Sequence, residues 1–597
     1  MAAPRFLTFL ITALLLSGCS LSPEKAREVD LRVAGEQESG LTCYPGDIRR
    51  CAAPSPVLET GSKADREGKY RLTLIDFGED ALEIRIHMIR AAQRYIDLQS
   101  FILRSDDTGE LILNELLDAA RRGVKVRLLL DQMFSFSDIE YLVRLAMAHS
   151  NFEIRFYNPS FYKAKMANHD WINGVACCFR GINQRMHNKL LVVDDLAGLI
   201  GGRNIADRYF DYDPNFDFKD REVLVFGSTS REMRESFDWF WNGPKTIPVQ
   251  HLRDVAEELL TKGAGKLEPY QPAPRLLPLL EQVDDEQYIR NAFVEPAYEV
   301  ERLEYFSDRP RKHEAEGDLT STDITSELYE VLLSARKSVV IQSPYMVLSK
   351  RVRQVFRELL DRNPDMELVF STNSLASTDA DTVYANTHRH KKRYVERIGF
   401  QMYEFKPFPL DAPVFFPRWP ALIEENMKGL ESESIVSGDN SVIPMPAPRV
   451  GLHSKSFVVD GQVAMIGSHN FDPRSEGFNT ENGIVVWDER FARRLEQLIR
   501  RDIKPENSWV VAMKPDKEQE KTALSPVPKT IPEFKPWSWS STSVYELAPG
   551  KKAVPPGSPD FYRNYYAVGS FPDVIRTRRQ VTVIFLSSFF FFLEPVL

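Results

Sequence analysis

Two histidine–lysine pairs in this sequence share one set of surroundings. His187-Asn188-Lys189 is followed, after four residues, by Asp194 and, after six more, by Gly201-Gly202-Arg203-Asn204. His453-Ser454-Lys455 is followed at the same intervals by Asp460 and Gly467-Ser468-His469-Asn470. An imidazole beside an ammonium suits a phosphodiester. Lys189, Lys455, Asn204 and Asn470 can hold non-bridging phosphate oxygens as charge builds in the transition state. One neutral histidine can attack phosphorus and split a hard displacement into two easier ones. The other, protonated, can give a proton to the leaving alkoxide and take one from the acceptor. Lysine and imidazolium supply the positive charge, so this chemistry calls for no metal and no cofactor. A carboxylate behind each histidine would fix its tautomer. Asp220 and Glu481, each following the Asn of its own half, are the candidates. Asp194 and Asp460 are counted with the catalytic set, a purely structural place at the strand end being the alternative. A lone His-x-Lys means nothing; the whole pattern twice over does.

The elements that must carry these residues also occur twice. Leu190-Leu191-Val192-Val193 and Phe457-Val458-Val459 are β-prone, which predicts strands with His and Lys turned toward one pocket. Upstream of the first motif, the apolar spacing predicts a helix over 81–94, a strand over 95–101, a helix over 109–122 stopped at Gly123, and a strand over 124–130. Upstream of the second, the same order is predicted over 326–336, 339–345, 351–360 and 367–371. Alternating helices and strands in two matching stretches predict an α/β fold, two tandem α-β-α sandwich domains sharing one site at their interface. The expected division is a signal peptide at 1–18, an N-terminal segment at 19–71, domain 1 at 72–244, a Gly- and Pro-rich linker at 245–320, domain 2 at 321–502 and a loop-like C-terminal extension at 503–597. With both motifs in one chain, a monomer can complete the site.

The 597 residues are 43% hydrophobic and 27% charged, ordinary for a globular protein, with a net charge of −9. That balance argues against a surface built for polyanions, and no nucleic-acid partner is expected. Arg5, an apolar run over 6–16 and Leu16-Ser17-Gly18-Cys19 read as an export signal ending in a lipobox-like sequence, with Cys19 as the lipidation site and a signal anchor as the alternative. By resemblance to sorted lipoproteins, Ser20 in place of Asp leans toward the outer membrane. Cys43 and Cys51 either pair in an oxidising compartment or remain free thiols. Cys177 and Cys178 are expected to pack as small apolar groups.

The paired motifs resemble those of the phospholipase D superfamily. Arg185-Met186-His187-Asn188-Lys189, Gly201-Gly202-Arg203-Asn204-Ile205, Thr372-Asn373-Ser374-Leu375-Ala376 and Phe471-Asp472-Pro473-Arg474-Ser475 are similar to the bacterial cardiolipin synthase C-type branch. The branch usually has Gln-Tyr-Tyr where this chain has Gln99-Ser100-Phe101, and the lipobox is not a shared feature. The resemblance implies a phosphohistidine intermediate with His187 as nucleophile and His453 as general acid, an order the near-symmetric motifs do not assign by themselves. It also implies transfer of a phosphatidyl group to phosphatidylglycerol, with phosphatidylethanolamine among the candidate donors; the lipobox-like signal adds the expectation of a membrane-anchored lipoprotein facing the periplasm. A hydrolytic phospholipase D, a nuclease of the same superfamily and a non-enzymatic lipid-binding lipoprotein are the rivals.

Four further stretches carry two readings each. Phe415-Phe416-Pro417-Arg418-Trp419, in an irregular run before the second motif, either dips into lipid or is a loop held by aromatic packing. Residues 385–397, rich in His, Lys and Arg, either contact an anionic headgroup or form a solvated helix face. Residues 171–179 are expected in the core, with pocket shaping as the alternative. The apolar run at 581–593 is read as a buried terminal helix or an interfacial segment.

Overall fold

The computed structural model describes residues 20–43, 51–313, 324–432, 447–524 and 540–570. Cys19, the signal peptide and the apolar run at 581–593 lie outside the described residues.

Two large mixed sheets organise the chain. The first has nine strands in the order Thr246–Pro248, Phe152–Tyr157, Lys125–Asp131, Tyr95–Ser100, Leu190–Val193, Ala197–Gly201, Glu222–Phe226, Tyr70–Ile75 and Tyr298–Val300. The second has ten: Arg302–Ser307, Asn482–Trp487, Val463–Gly467, Ser456–Val459, Ser338–Gln342, Glu367–Asn373, Gln401–Phe405, Ser508–Met513, Thr542–Leu547 and Tyr565–Gly569. Read in opposite directions, the two orders match strand for strand from Tyr70–Ile75 and Arg302–Ser307 to Thr246–Pro248 and Ser508–Met513. The duplication in the sequence is therefore a duplication of topology.

The predicted elements form close to where the patterns placed them, although the helix expected over 81–94 ends at Ala91 and the strand expected over 339–345 ends at Gln342. The helix Asp107–Arg122 starts on Asp106, whose carboxylate accepts from Gly109 N, and ends on Gly123 at φ 105°. That left-handed turn is where glycine carries no Cβ penalty. The helix buries Leu111, Ile112, Leu116 and Leu117 against the first sheet, each contributing about 1.5–3 kcal/mol relative to exposure. The far faces of the two sheets are covered by separate helical cores. Between the sheets lies a third core. Helices Ser228–Trp241 and Glu489–Asp502 bring Phe237, Phe240, Leu495 and Ile499 to Val192, Ile200, Val340, Val458 and Ile466 of both sheets. This shared core fixes the halves against each other.

The stretch expected as linker, 245–320, is part of both domains. Thr246–Pro248 and Tyr298–Val300 edge the first sheet, and Arg302–Ser307 pairs along Asn482–Trp487 in the second. The stretch expected as a loop-like extension contributes Ser508–Met513 and two further strands. Short runs such as Val510-Val511-Ala512 pair because a sheet edge awaits them, a tertiary cause that the surrounding Pro and Lys obscure. The N-terminal segment is also docked. Helices Pro23–Glu36 and Pro56–Glu67 bury Val29, Val33, Val57 and Leu58 in the first domain's outer core. Cys43 and Cys51 form a disulfide. Cys177 and Cys178 are bonded to each other and exposed, not packed as apolar groups.

Candidate active site

Two short cross-domain ribbons build the site. Arg449–Leu452 runs parallel to Phe216–Lys219, with Leu452 opposite Lys219. Asn479–Thr480 runs parallel to Arg185–Met186, with Thr480 opposite Met186. One residue further along each ribbon, His453 meets Asp220 and Glu481 meets His187. The Nδ1 of His187 lies 2.7 Å from Glu481 Oε2, and that of His453 lies 2.5 Å from Asp220 Oδ2. Each histidine is thus oriented by the carboxylate of the other half, not of its own. Backbone bonds lock the register: His187 N donates to Thr480 O at 2.9 Å and His453 N to Lys219 O at 2.8 Å.

The electrostatics fix the tautomers. Burial alone would raise Glu481, but His187, His469 and Lys189 outweigh it and hold the carboxyl at about 2. Asp220 is held low in the same way, by His453, Lys455 and Arg203 against burial. Both carboxylates are ionised near neutral pH and accept from Nδ1–H, which leaves each Nε2 lone pair free. Burial pushes both imidazoles down to about 4. It also pushes Lys189 to about 7 and Lys455 to about 8. The site is poised for an anion that would stabilise its cations.

The histidines are not equivalent. Lys189 and Lys455 both oppose charge on His187, and Glu481 alone favours it. Asp220 and Asp379 both favour charge on His453 against Lys455. The lysines also differ. Lys189 Nζ donates to His187 O at 2.7 Å and sits 5.3 Å from the centre of the Phe101 ring. Lys455 Nζ donates to His453 O and lies 3.0 Å from His453 Nδ1.

Rings wall the site. Phe101 meets His187 edge-on at 4.8 Å and contacts Phe134, itself 46% exposed. Tyr209 and Phe218 flank His453 at 5.1 and 5.0 Å.

The motif aspartates stand elsewhere, each in a turn at the end of its strand. Asp194 and Asp460 sit at φ 56° and 54° in tight turns after their strands. Asp194 accepts from the amides of Gln93, Arg94 and Tyr95; Asp460 accepts from those of Arg336, Lys337 and Ser338. Asp tolerates the left-handed backbone, and its carboxylate ties each turn to the start of the adjacent strand. Of the two asparagines, Asn204 is engaged within the protein, accepting from Ile102 N and donating to Tyr209 OH. Among the described residues the buried Asn470 Oδ1 has no hydrogen-bond partner, and its amide is the freer of the two to meet substrate.

Several residues at the site escaped the motif reading. Asp220 is flanked by Lys219 and Arg221, which both reach Asp76 at 2.9 Å. Arg221 also bonds Asp502 at 2.5 Å and Gln342, while Arg501 reaches Asp76 at 2.8 Å. This buried lattice crosses the domain boundary and braces the strand that presents Asp220. A glutamine inside the otherwise apolar run Val339-Val340-Ile341-Gln342 was its visible trace. On the other side, Ser468 Oγ donates to Glu481 Oε2 at 2.5 Å. Its counterpart is Gly202, where a Cβ would lie 2.4 Å from Asp220 Oδ1.

The remaining stretches sort as follows. Phe415, Phe416 and Trp419 form a packed cluster where two helices meet, the packing reading of that run. Lys391 is buried and paired with Glu404 at 2.6 Å, so residues 385–397 are not one solvated face. Trp171 and Ile172 are 39% and 70% exposed, against the core position expected for them.

Known proteins carry related sequences. The family model described as "Cardiolipin synthase, PLD-like domain" matches residues 85–241 and 328–503, more than half of the chain. The protein belongs to this phospholipase D-like, cardiolipin synthase family, and its enzyme kind at family level is phospholipid phosphatidyltransferase. An uncharacterized protein of Helicobacter pylori is 32% identical over 431 residues, 71% of this chain and 77% of the relative. Cardiolipin synthase C of Escherichia coli is 28% identical over 433 residues, 72% of this chain and 84% of the relative. Phosphatidylserine synthase of Haemophilus influenzae aligns in structure with a TM-score of 0.47 at 13% identity, over 76% of this chain and 91% of that one.

Proposed function

We propose that the protein makes cardiolipin, moving a phosphatidyl group from one phospholipid to a headgroup hydroxyl of phosphatidylglycerol. The crossed pairing of His187 with Glu481 and His453 with Asp220 carries this reading. It supplies two imidazoles with free Nε2 atoms beside two lysines. In the first step His187 Nε2 attacks phosphorus. A P–N bond forms, the P–O bond to the leaving headgroup breaks, and the departing alkoxide takes a proton from His453. In the second step the acceptor hydroxyl returns a proton to His453 and its oxygen displaces His187. The surplus of carboxylates around His453 supports its role as acid, and the lysines around His187 support a neutral nucleophile. An arriving phosphodiester, being anionic, favours the protonated form of His453. Lys189, Lys455 and Asn470, with the one free N–H of Asn204, hold the non-bridging oxygens.

The substrates make the bilayer surface the working partner. Exposed Trp171, Ile172 and Phe134 stand on the half that presents His187, and Trp and Phe suit an interface. No helix among the described residues is long and apolar enough to cross a membrane. Anchorage through acylated Cys19, with the body in the periplasm and the outer membrane favoured, supplies the tether.

The test uses the purified chain with vesicles of phosphatidylglycerol and phosphatidylethanolamine, the lipids being followed by mass spectrometry. Cardiolipin that appears with the wild type and not with His187→Ala is the expected result. Phosphatidic acid as sole product would make the enzyme a hydrolase, and no lipid turnover would refute the lipid reading.

A further inference from the structure

The second domain carries a cationic cleft away from the two histidines. One wall is the helix Lys350–Arg362, the other the π-helical turn Arg393–Ile398. Lys350, Arg353, Gln354 and Arg357 fall at i, i+3, i+4 and i+7 and so share one helix face. Arg393 and Arg397 stand opposite across a space of about 610 Å³. Among the described residues no acidic one lines it.

This arrangement departs from the rest of the molecule. The chain carries net charge −9, and its helices mostly pair cations with acids one turn away, as in Arg32–Glu36, Lys262–Glu258, Arg493–Glu489 and Arg500–Glu496. Among the described residues, none of the five cleft cations has an acidic partner. Like charges at one-turn spacing oppose each other, and the amino end of the helix at Lys350 adds positive potential. Arg353 is almost buried and donates to Leu348 O, while Tyr394 OH accepts from Leu348 N at 2.9 Å. Both walls therefore hold the same residue, which makes the cleft a built feature and not a chance meeting of mobile side chains.

We propose that this cleft is a second, non-catalytic site for a phosphate group, borne either by an anionic phospholipid headgroup or by free phosphate. Guanidinium forks match phosphate oxygens two at a time. The confined cleft, on an acidic protein, does not offer the extended basic stripe that a polynucleotide needs. The inference stands on the cleft alone and does not require the lipid reading of the active site.

The test compares the full chain with Arg393→Ala/Arg397→Ala and with Lys551→Ala/Lys552→Ala, a control at exposed cations elsewhere. Binding is measured to phosphatidylcholine vesicles with and without phosphatidylglycerol, and thermal midpoints with and without inorganic phosphate. The cleft variant is expected to lose the phosphatidylglycerol-dependent increment in binding by about tenfold or more, with its midpoint in plain buffer unchanged. The control keeps the increment. If phosphate raises the midpoint of the wild type and not of the cleft variant, the site also takes the free anion; if only vesicles discriminate, the phosphate must be lipid-borne. Equal vesicle and phosphate binding by wild type and cleft variant would overturn the proposal. So would a single-stranded oligonucleotide that bound through these arginines more tightly than either probe.

Discussion

The imidazole of His187 is held at 2.7 Å by Glu481, a residue 294 positions away in the other half of the chain. The reciprocal bond joins His453 to Asp220. Among the described residues neither of these two histidines pairs with a carboxylate of its own half, and the two parallel ribbons bring the four residues together by register alone.

Glu481→Gln and Asp220→Asn keep shape but remove the charge that selects the Nδ1–H tautomer. Each is expected to lower kcat by roughly a hundredfold or more, with little change in folding. Steady-state kinetics on lipid vesicles checks this, and imidazole nitrogen shifts should move for the histidine of the opposite half. A change at the histidine of the same half would argue against the crossed arrangement.

Gly202→Ala places a methyl on the Asp220 carboxylate. It is expected to cost activity on the scale of Asp220→Asn, whereas Ser468→Ala, which removes one donor to Glu481, costs less. Parallel kinetics of the two variants decides it.

Asp194→Ala and Asp460→Ala each strand three backbone amides. The expected loss is about 1–3 kcal/mol of stability, read as a lower thermal midpoint, with kcat of the folded fraction largely kept. Abolished turnover in a fully folded variant would return these aspartates to the chemistry.

The pH profile follows from the buried cations. Lys189 and Lys455 lose their protons as pH rises through about 7 and about 8 in the free enzyme, so phosphate affinity falls with rising pH across that window. The bound phosphodiester stabilises the charged lysines, which places the alkaline limb of kcat at higher pH than that of kcat/KM. On the acid side His187 stays neutral until pH falls through about 4, and activity is lost there. The two profiles, measured side by side, test both limbs.

Much of this was legible in the sequence because the motifs are local and duplicated. The helix 109–122 with its stop at Gly123, the strands before each motif, and the identity of Asp220 and Glu481 all follow from short-range pattern. The crossing of the carboxylates does not, since it depends on ribbons joining residues hundreds of positions apart. Nor does the role of Asp194, whose partners at 93–95 are backbone amides and leave no side-chain signature. Arg302–Ser307 and Ser508–Met513 were obscured by neighbouring Pro and charge, although each completes a sheet by pairing. Trp171 and Ile172 read as core because apolar residues usually are; only the fold shows them at the surface.

The most direct test of the phosphotransfer chemistry is to trap its intermediate. Protein mixed with phosphatidylglycerol would be quenched within the first turnover under alkaline denaturing conditions and digested for mass spectrometry. A phosphatidyl group on His187, absent in His187→Ala and accumulating in His453→Ala with a donor whose leaving group needs no proton, is the expected result. A modification on His453, or none on either histidine while cardiolipin is still formed, would contradict it.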